Sequence, residues 1–271
     1  MTDVARDVPA IDLKSCCADL YQSDLARLLL GDSFHPGGLA LTERLGQLLR
    51  LGPDDAVLDV AAGRGTSAIH LATVFGCRVV GVDYAAANVA AATEAAARAG
   101  VTDRVTFRLG DAERLPVADA SFDAAVCECA FCTFPDKPTA AAELARALRP
   151  GGRVGLSDLT RRGDLPPDLD GLLAWVACIA DARPVEEYVA YLHGAGFGEP
   201  TVEPHDDALA DLVAGIRQKL LGAQLMAQLG KLRLPGVDWD GAGAMARAAF
   251  EAVKRGQLGY AAIVAELPRG T

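Results

Sequence analysis

One stretch constrains this chain more than any other: Val57-Leu58-Asp59-Val60-Ala61-Ala62-Gly63-Arg64-Gly65-Thr66. An apolar run of strand length ends in small residues and then opens a segment with helical periodicity, 66–75. Gly63 and Gly65 permit positive φ and close approach by a ligand, and the unpaired N–H groups of a helix N-terminus suit a carboxylate or phosphate. The alternation continues down the chain. Residues 78–83 (RVVGVD) predict a second strand, the alanine-rich 85–99 a helix, 105–109 a third strand, 124–129 a fourth, 139–148 a helix and 153–157 a fifth strand. Apolar strands separated by helices predict a parallel sheet buried on both faces, with right-handed crossovers. Asp83 ends the second strand, about 20 residues past the glycines, where a carboxylate can accept from ribose hydroxyls.

The flanks are less regular. Residues 1–18 read as a polar arm, 19–30 as a short amphipathic helix, and His35-Pro36-Gly37-Gly38 as the break before a helix over 39–49. Past Asp158 the pattern predicts a loop at 165–169, an apolar helix at 172–180, a helix at 185–195, a strand at 200–203 and a long helical stretch at 207–232. Gly215, Gly222 and Gly230 are expected to kink or divide that stretch. A helix at 242–254 and a strand at 259–267 follow. The resulting organisation is an N-terminal arm with cap helices at 1–50, a core at 51–206, a helical insertion at 207–256, and the last strand and tail at 257–271.

A length of 271 residues suits one such α/β domain with an insertion. Lys+Arg 26 against Asp+Glu 36 leaves a net charge of −10, which argues against a nucleic-acid groove. No apolar run approaches the roughly 18 residues needed to span a bilayer, so no membrane partner is expected. Asp3, Arg6, Asp7 and Asp12 make the start unlike a signal peptide, and a cytoplasmic protein is expected. The seven cysteines are Cys16, Cys17, Cys77, Cys127, Cys129, Cys132 and Cys178; an odd number without a secretion signal predicts thiols rather than a disulfide framework, with Cys77 structural.

The loop and Asp83 alone fit a dinucleotide fingerprint (Gly63-x-Gly65-x-x-Ala68) as well as a nucleoside-methionine site. Further segments lie at the next strand ends: Leu109-Gly110-Asp111-Ala112, Ser121-Phe122-Asp123 and Arg149-Pro150-Gly151-Gly152. With VLDVAAGRGT, VVGVD, LGDAERLPVADASFD and RALRPGGRVGLSD in this order, the sequence resembles the class I S-adenosylmethionine-dependent methyltransferases, closely over 36–160. Within that class it is similar to the arsenite and ubiquinone/menaquinone types of small-molecule enzyme. The resemblance implies a Rossmann-like doubly wound sheet of seven strands, order 3-2-1-4-5-7-6, the last antiparallel. It also implies S-adenosylmethionine as cofactor: Asp59 ordering the loop, Ala61, Gly63 and Gly65 beside the methionine part, Asp83 and Tyr84 at the ribose, Asp111 and Ala112 at the adenine, and Cys127 near the donor. Ala61 departs from the family's usual glycine.

In this family the fourth strand ends facing the sulfonium methyl, and Cys127, Glu128, Cys129 and Cys132 lie there. Strand alternation places Cys127 and Cys129 on one face. Cys178, in Cys-Ile-x-x-Ala, matches an arsenic-binding cysteine of the arsenite methyltransferases, and Phe134-Pro135-Asp136-Lys137 resembles their equivalent loop. Thiolates suit a soft acceptor such as As(III), so Cys178, Cys129, Cys132 and His35 are the catalytic candidates and Cys16, Cys17 and Cys178 the candidate metalloid ligands. No cysteine follows Gly65 in the first helix, and none lies beyond Cys178, where arsenite enzymes carry further ligands. The alternative is methylation of an O, N or C atom of a natural product, with His35, Tyr21, His193, His205 or Glu128 as base. A thiophilic-ligand binding protein and an NAD(P)-dependent oxidoreductase are the remaining readings. The apolar helices of the insertion would serve a pocket or a homodimer interface.

Overall fold

The computed structural model describes residues 35–165, 169, 179, 181–229, 231 and 238–270. The expected arm and first helix, most of the expected 172–180 helix, and Cys16, Cys17, Tyr21 and Cys178 lie outside them.

The elements run α1 (Gly38–Leu48), β1 (Ala56–Val60), α2 (Thr66–Phe75), β2 (Arg78–Asp83), α3 (Ala86–Ala99), β3 (Val105–Leu109), β4 (Phe122–Glu128), α4 (Lys137–Ala147), β5 (Leu148–Arg161), α5 (Val185–Gly194), β6 (Thr201–Pro204), α6 (Asp206–Gln228), α7 (Trp239–Lys254) and β7 (Leu258–Glu266). The seven strands form one sheet in the order β3-β2-β1-β4-β5-β7-β6, the order expected. β3, β2, β1, β4 and β5 are parallel, and β7 runs antiparallel to both β5 and β6. Among the described residues no helix is long and apolar enough to cross a membrane.

The sheet divides the core in two. Leu45, Leu49, Val57, Leu71, Val79, Ala96 and Ala124 pack on the face carrying α1 to α3. Leu58, Val60, Ala125, Leu144, Leu156, Tyr188 and Tyr260 pack on the other. Strands covered on both sides alternate between these clusters residue by residue, which is why β1 and β4 read as mostly apolar, with Asp59 the one charged residue of β1 and Asp123 and Glu128 near the ends of β4.

Two elements differ from expectation for tertiary reasons. β5 extends well beyond 153–157, because antiparallel pairing with β7 continues through Arg161↔Leu258. α6 is one uninterrupted helix of 23 residues despite Gly215 and Gly222. Its buried Leu209, Val213, Leu220 and Ala223 outweigh a glycine penalty of about 1 kcal/mol each.

Candidate active site

The order β2-β1-β4 contains the reversal of chain direction across the sheet, and the crevice at such a switch point is where open α/β sheets bind ligands. A cleft opens there, with about 1050 Å³ of empty space including its mouth. Val60, Asp83, Leu109 and Glu128 are the last residues of the four strands beneath it.

One end of the cleft is backbone. After β1 the chain turns through Ala61 (φ 60°), Gly63 (φ 53°) and Gly65 (φ 79°) into the uncapped N-terminus of α2. Ala61, Gly63 and Arg64 border the cleft, and a Cβ added at Gly63 would enter open space. Gly65 does not border it. A Cβ there would fall 2.4 Å from the Phe107 ring and 2.9 Å from Ala92 Cβ, so Gly65 is required by packing and φ rather than by direct contact.

Asp83 fastens this loop. Its Oδ2 accepts from Gly63 N at 2.8 Å, and its Oδ1 accepts from Ala85 N at 2.9 Å and Asn88 Nδ2 at 3.1 Å. Of about four lone-pair sites on a carboxylate three are taken, leaving capacity for one ribose hydroxyl rather than two. Burial raises the Asp83 carboxyl above the ordinary range, and those three donors oppose the rise. Tyr84, Asn88, Asp111 and Ala112 complete this wall. Asp111 also closes its own turn by accepting from Glu113 N at 2.9 Å.

Beneath the loop Asp59 is buried, outside the cleft lining. Burial pushes its carboxyl well up, with Glu128 and Asp83 adding to the rise and a hydrogen bond from the Ala68 backbone opposing it. Among the described residues its Oδ2 has no hydrogen-bond partner. The open space at Gly63 and the spare capacity of Asp83 fit an adenosyl ligand.

The other end is made of side chains. His35, Glu128, Cys129, Ala130, Thr133 and Phe134 border it. Thr42 on α1 donates to Glu128 Oε2 at 2.9 Å, and its Oγ1 lies 3.3 Å from His35 Nε2. His35 Nδ1 lies 3.2 Å from the Pro36 carbonyl oxygen. Ser157 donates to Glu128 Oε1 at 3.4 Å, and the Tyr260 hydroxyl donates to the Ser157 carbonyl at 3.0 Å.

The cysteines separate. Cys129 borders the cleft, whereas Cys127 and Cys132 are fully buried in the core and do not. The expected common face for Cys127 and Cys129 fails because β4 ends at Glu128 and Cys129 takes φ 52°, which breaks the alternation. Burial pushes the Cys127 thiol far up, and Asp158, Asp59 and Glu128 add to it, so it is neither a cofactor contact nor a ready thiolate. Among the described residues no three His, Cys, Asp or Glu side chains are grouped to hold a metal ion. The Phe134–Lys137 stretch has structural duties: Asp136 caps α4 through Thr139 N, and buried Lys137 pairs with buried Asp181. His193 and His205 lie away from the cleft, beside Glu199 and Glu203. Thr42, Asn88 and Thr133 were not singled out by the sequence; an isolated Thr on an apolar helix carries no signal until the fold sets it against β4.

Fold and cleft define a Rossmann-like nucleotide-binding enzyme, and comparison with known proteins narrows the class. A model of the methyltransferase domain matches residues 57–152. The 27-O-demethylrifamycin SV methyltransferase of Amycolatopsis mediterranei is 31% identical over 241 residues, covering 78% of this chain and 87% of its own. The arsenite methyltransferase of Halobacterium salinarum is 29% identical over 249 residues, covering 87% of this chain and 62% of its own. Among solved structures, Haemonchus contortus phosphoethanolamine N-methyltransferase 2 with S-adenosylhomocysteine superposes with a TM-score of 0.79 at 18% identity, covering 95% of this chain and 60% of that one. The chain belongs to the class I S-adenosylmethionine-dependent methyltransferases, which decides between the two nucleotide readings left open by the loop.

Proposed function

We propose that this methyltransferase acts on a small molecule presenting a soft lone pair, a thiol or a thiol-bound metalloid such as As(III), held against Cys129. The observation that carries the reading is the chemistry of the acceptor end. Among the described residues Cys129 is the one thiol bordering the cleft. Both ring nitrogens of His35 meanwhile face protein oxygens, Pro36 O and Thr42 Oγ1. S-adenosylmethionine supplies an activated methyl when bound, and Ala61, Gly63, Asp83, Asp111 and Ala112 would hold it. The chain then positions the acceptor and excludes water. A thiolate-bound As(III) lone pair needs no base, so an engaged histidine is no obstacle there, while a thiol acceptor first loses its proton to solvent and reacts as the thiolate. Cys178, Cys16 and Cys17 are proposed to complete the ligand set. The arsenite methyltransferase relative supports this reading.

A second reading has its own observation: Glu128 and His35 both border the cleft, where either can serve as base for an oxygen acceptor, and the rifamycin-type relative supports it. An acceptor screen (arsenite with thiol, selenite, mercuric ion, simple thiols, phenols) read as adenosylhomocysteine release separates the two. The soft-acceptor reading expects turnover with arsenite or thiols, lost in Cys129→Ser and only weakened in His35→Ala. Turnover confined to phenols, lost in His35→Ala and kept in Cys129→Ser, sinks it.

A further inference from the structure

Thr42 is fully buried in the first half of α1, and its hydroxyl is surrounded by polar groups drawn from three separate segments. Glu128 Oε2 lies at 2.9 Å and Oε1 at 3.3 Å; His35 Nε2 lies at 3.3 Å; Ser67 Oγ, on α2, lies at 3.5 Å. A hydroxyl has one proton to give and two lone pairs to offer. A carboxylate can only accept, so the Thr42 proton belongs to the short contact with Glu128. What remains toward His35 is a lone pair, which is satisfied only if Nε2 carries a hydrogen. The Pro36 carbonyl oxygen, 3.2 Å from Nδ1, is satisfied only if Nδ1 carries it. The two contacts compete for the one hydrogen of a neutral ring, and Thr42 is what draws it to Nε2. His35 Nε2 and Glu128 Oε2 are themselves 3.7 Å apart, so Thr42 bridges two groups beyond direct hydrogen-bond reach.

We propose that Thr42 is a positioning residue for methyl transfer: it holds His35 as a donor at Nε2 and orients the Glu128 side chain as a wall of the acceptor end. The argument rests on the methyltransferase assignment and not on which acceptor is right, because it concerns groups of this chain alone. Its structural support is one-sided by design of the contacts. Among the described residues Glu128 receives one short donor contact, from Thr42 at 2.9 Å, the Ser157 contact being 3.4 Å. Hydrogen bonds to charged groups in a buried setting are the ones whose loss is felt most.

The test uses the full chain with ¹⁵N-labelled histidine. Two-bond ¹H–¹⁵N spectra report which ring nitrogen of His35 carries the proton, and steady-state kinetics run in parallel with arsenite plus thiol and with a phenol as acceptors. In the wild type, Nε2 is protonated. Thr42→Val, nearly isosteric, moves the Nε2 signal toward the unprotonated position and lowers kcat about ten-fold or more, the scale of one hydrogen bond to a charge. Thr42→Ser keeps the hydroxyl and restores both the spectrum and the rate. Three outcomes overturn the proposal: a His35 spectrum unchanged by Thr42→Val, a Thr42→Val rate equal to the wild type, or a Thr42→Ser variant that behaves like Thr42→Val. Should Thr42→Val not fold, Thr42→Ala takes its place: the same move of the Nε2 signal toward the unprotonated position is expected, and an unchanged His35 spectrum overturns the proposal.

Discussion

The two ends of the cleft are built on opposite principles. The donor end is backbone: positive-φ turns at Ala61, Gly63 and Gly65, the open N-terminus of α2, and one carboxylate, Asp83, tying the loop to the next strand. The acceptor end is side chain: His35 before α1, Thr42 on α1, Glu128 at the end of β4 and Cys129 just past it. A site made of backbone tolerates little change in conformation, because the chain itself is the ligand surface. A site made of side chains on separate elements can be rewritten one residue at a time while the sheet stays put. The difference predicts that substitutions at the donor end damage fold and cofactor binding together, whereas those at the acceptor end change chemistry and leave the fold standing.

The largest expected effect is at Gly65. Alanine there must adopt φ 79° and place its Cβ 2.9 Å from the Ala92 methyl and 2.4 Å from Phe107. The ring can swing, but the Ala92 methyl is fixed to α3. Overpacking and left-handed strain together come to about 3 kcal/mol, roughly 6–12 °C in Tm for a chain of this size. Differential scanning calorimetry with and without S-adenosylmethionine reads both losses. A Gly65→Ala protein that melts with the wild type and still binds the cofactor breaks the claim that this loop has no slack.

This contrast also explains what could be read in advance. The donor end was legible because its needs are met by residues that announce themselves locally: glycines beside a strand, an aspartate at the end of the next. The same holds for β1, β2 and β3, short segments rich in apolar residues and closed by turns. Gly65 shows the limit, since its spacing suggests a ligand contact while its neighbour in space is Phe107, 42 positions on in the chain. The acceptor end was harder. Cys127 and Cys129 look equivalent under strand alternation, and only the positive φ of Cys129 sends one to the cleft and leaves the other in the core. Thr42 was invisible because its partners come from segments 7 and 86 positions away.

Electrostatics sharpen the comparison at the level of single carboxylates. Asp59, beneath the donor end, is raised by burial and by Glu128 and Asp83, so its charged form is disfavoured in the fold. An acid raised on folding weakens stability at pH above its folded value, and the penalty fades as pH falls through that value toward 3.8, the value its unfolded form takes. Glu143 on α4 is the opposite case, lowered chiefly by its hydrogen bond from Arg146. Its contribution is present above 4.5 and disappears as pH falls through its folded value. Asp59→Asn therefore raises the urea midpoint at pH 7 with a gain that shrinks on acidification, while Glu143→Gln lowers it at pH 7 with a loss that shrinks on acidification. Equal signs for the two variants at pH 7 contradict the assignment of Asp59 as a carboxyl group whose charged form burial disfavours.

The smallest effect is expected far from both ends, at Gly222 in α6. The helix runs through it without a break, and a Cβ added there meets nothing within 4 Å. Its backbone is helical, so alanine adds no strain and removes conformational freedom from the unfolded chain. The gain is about 0.5–1 kcal/mol, with cofactor affinity and turnover unchanged. This variant is the control for the whole comparison. If the glycines of the chain were alike, Gly222→Ala and Gly65→Ala would move in the same direction; the opposite signs follow from φ and from Ala92, and from nothing visible in the residue type. A loss of stability in Gly222→Ala would mean that the exposed face of α6, with Leu221 and Leu225 flanking Gly222, is covered in solution by something that the added methyl displaces.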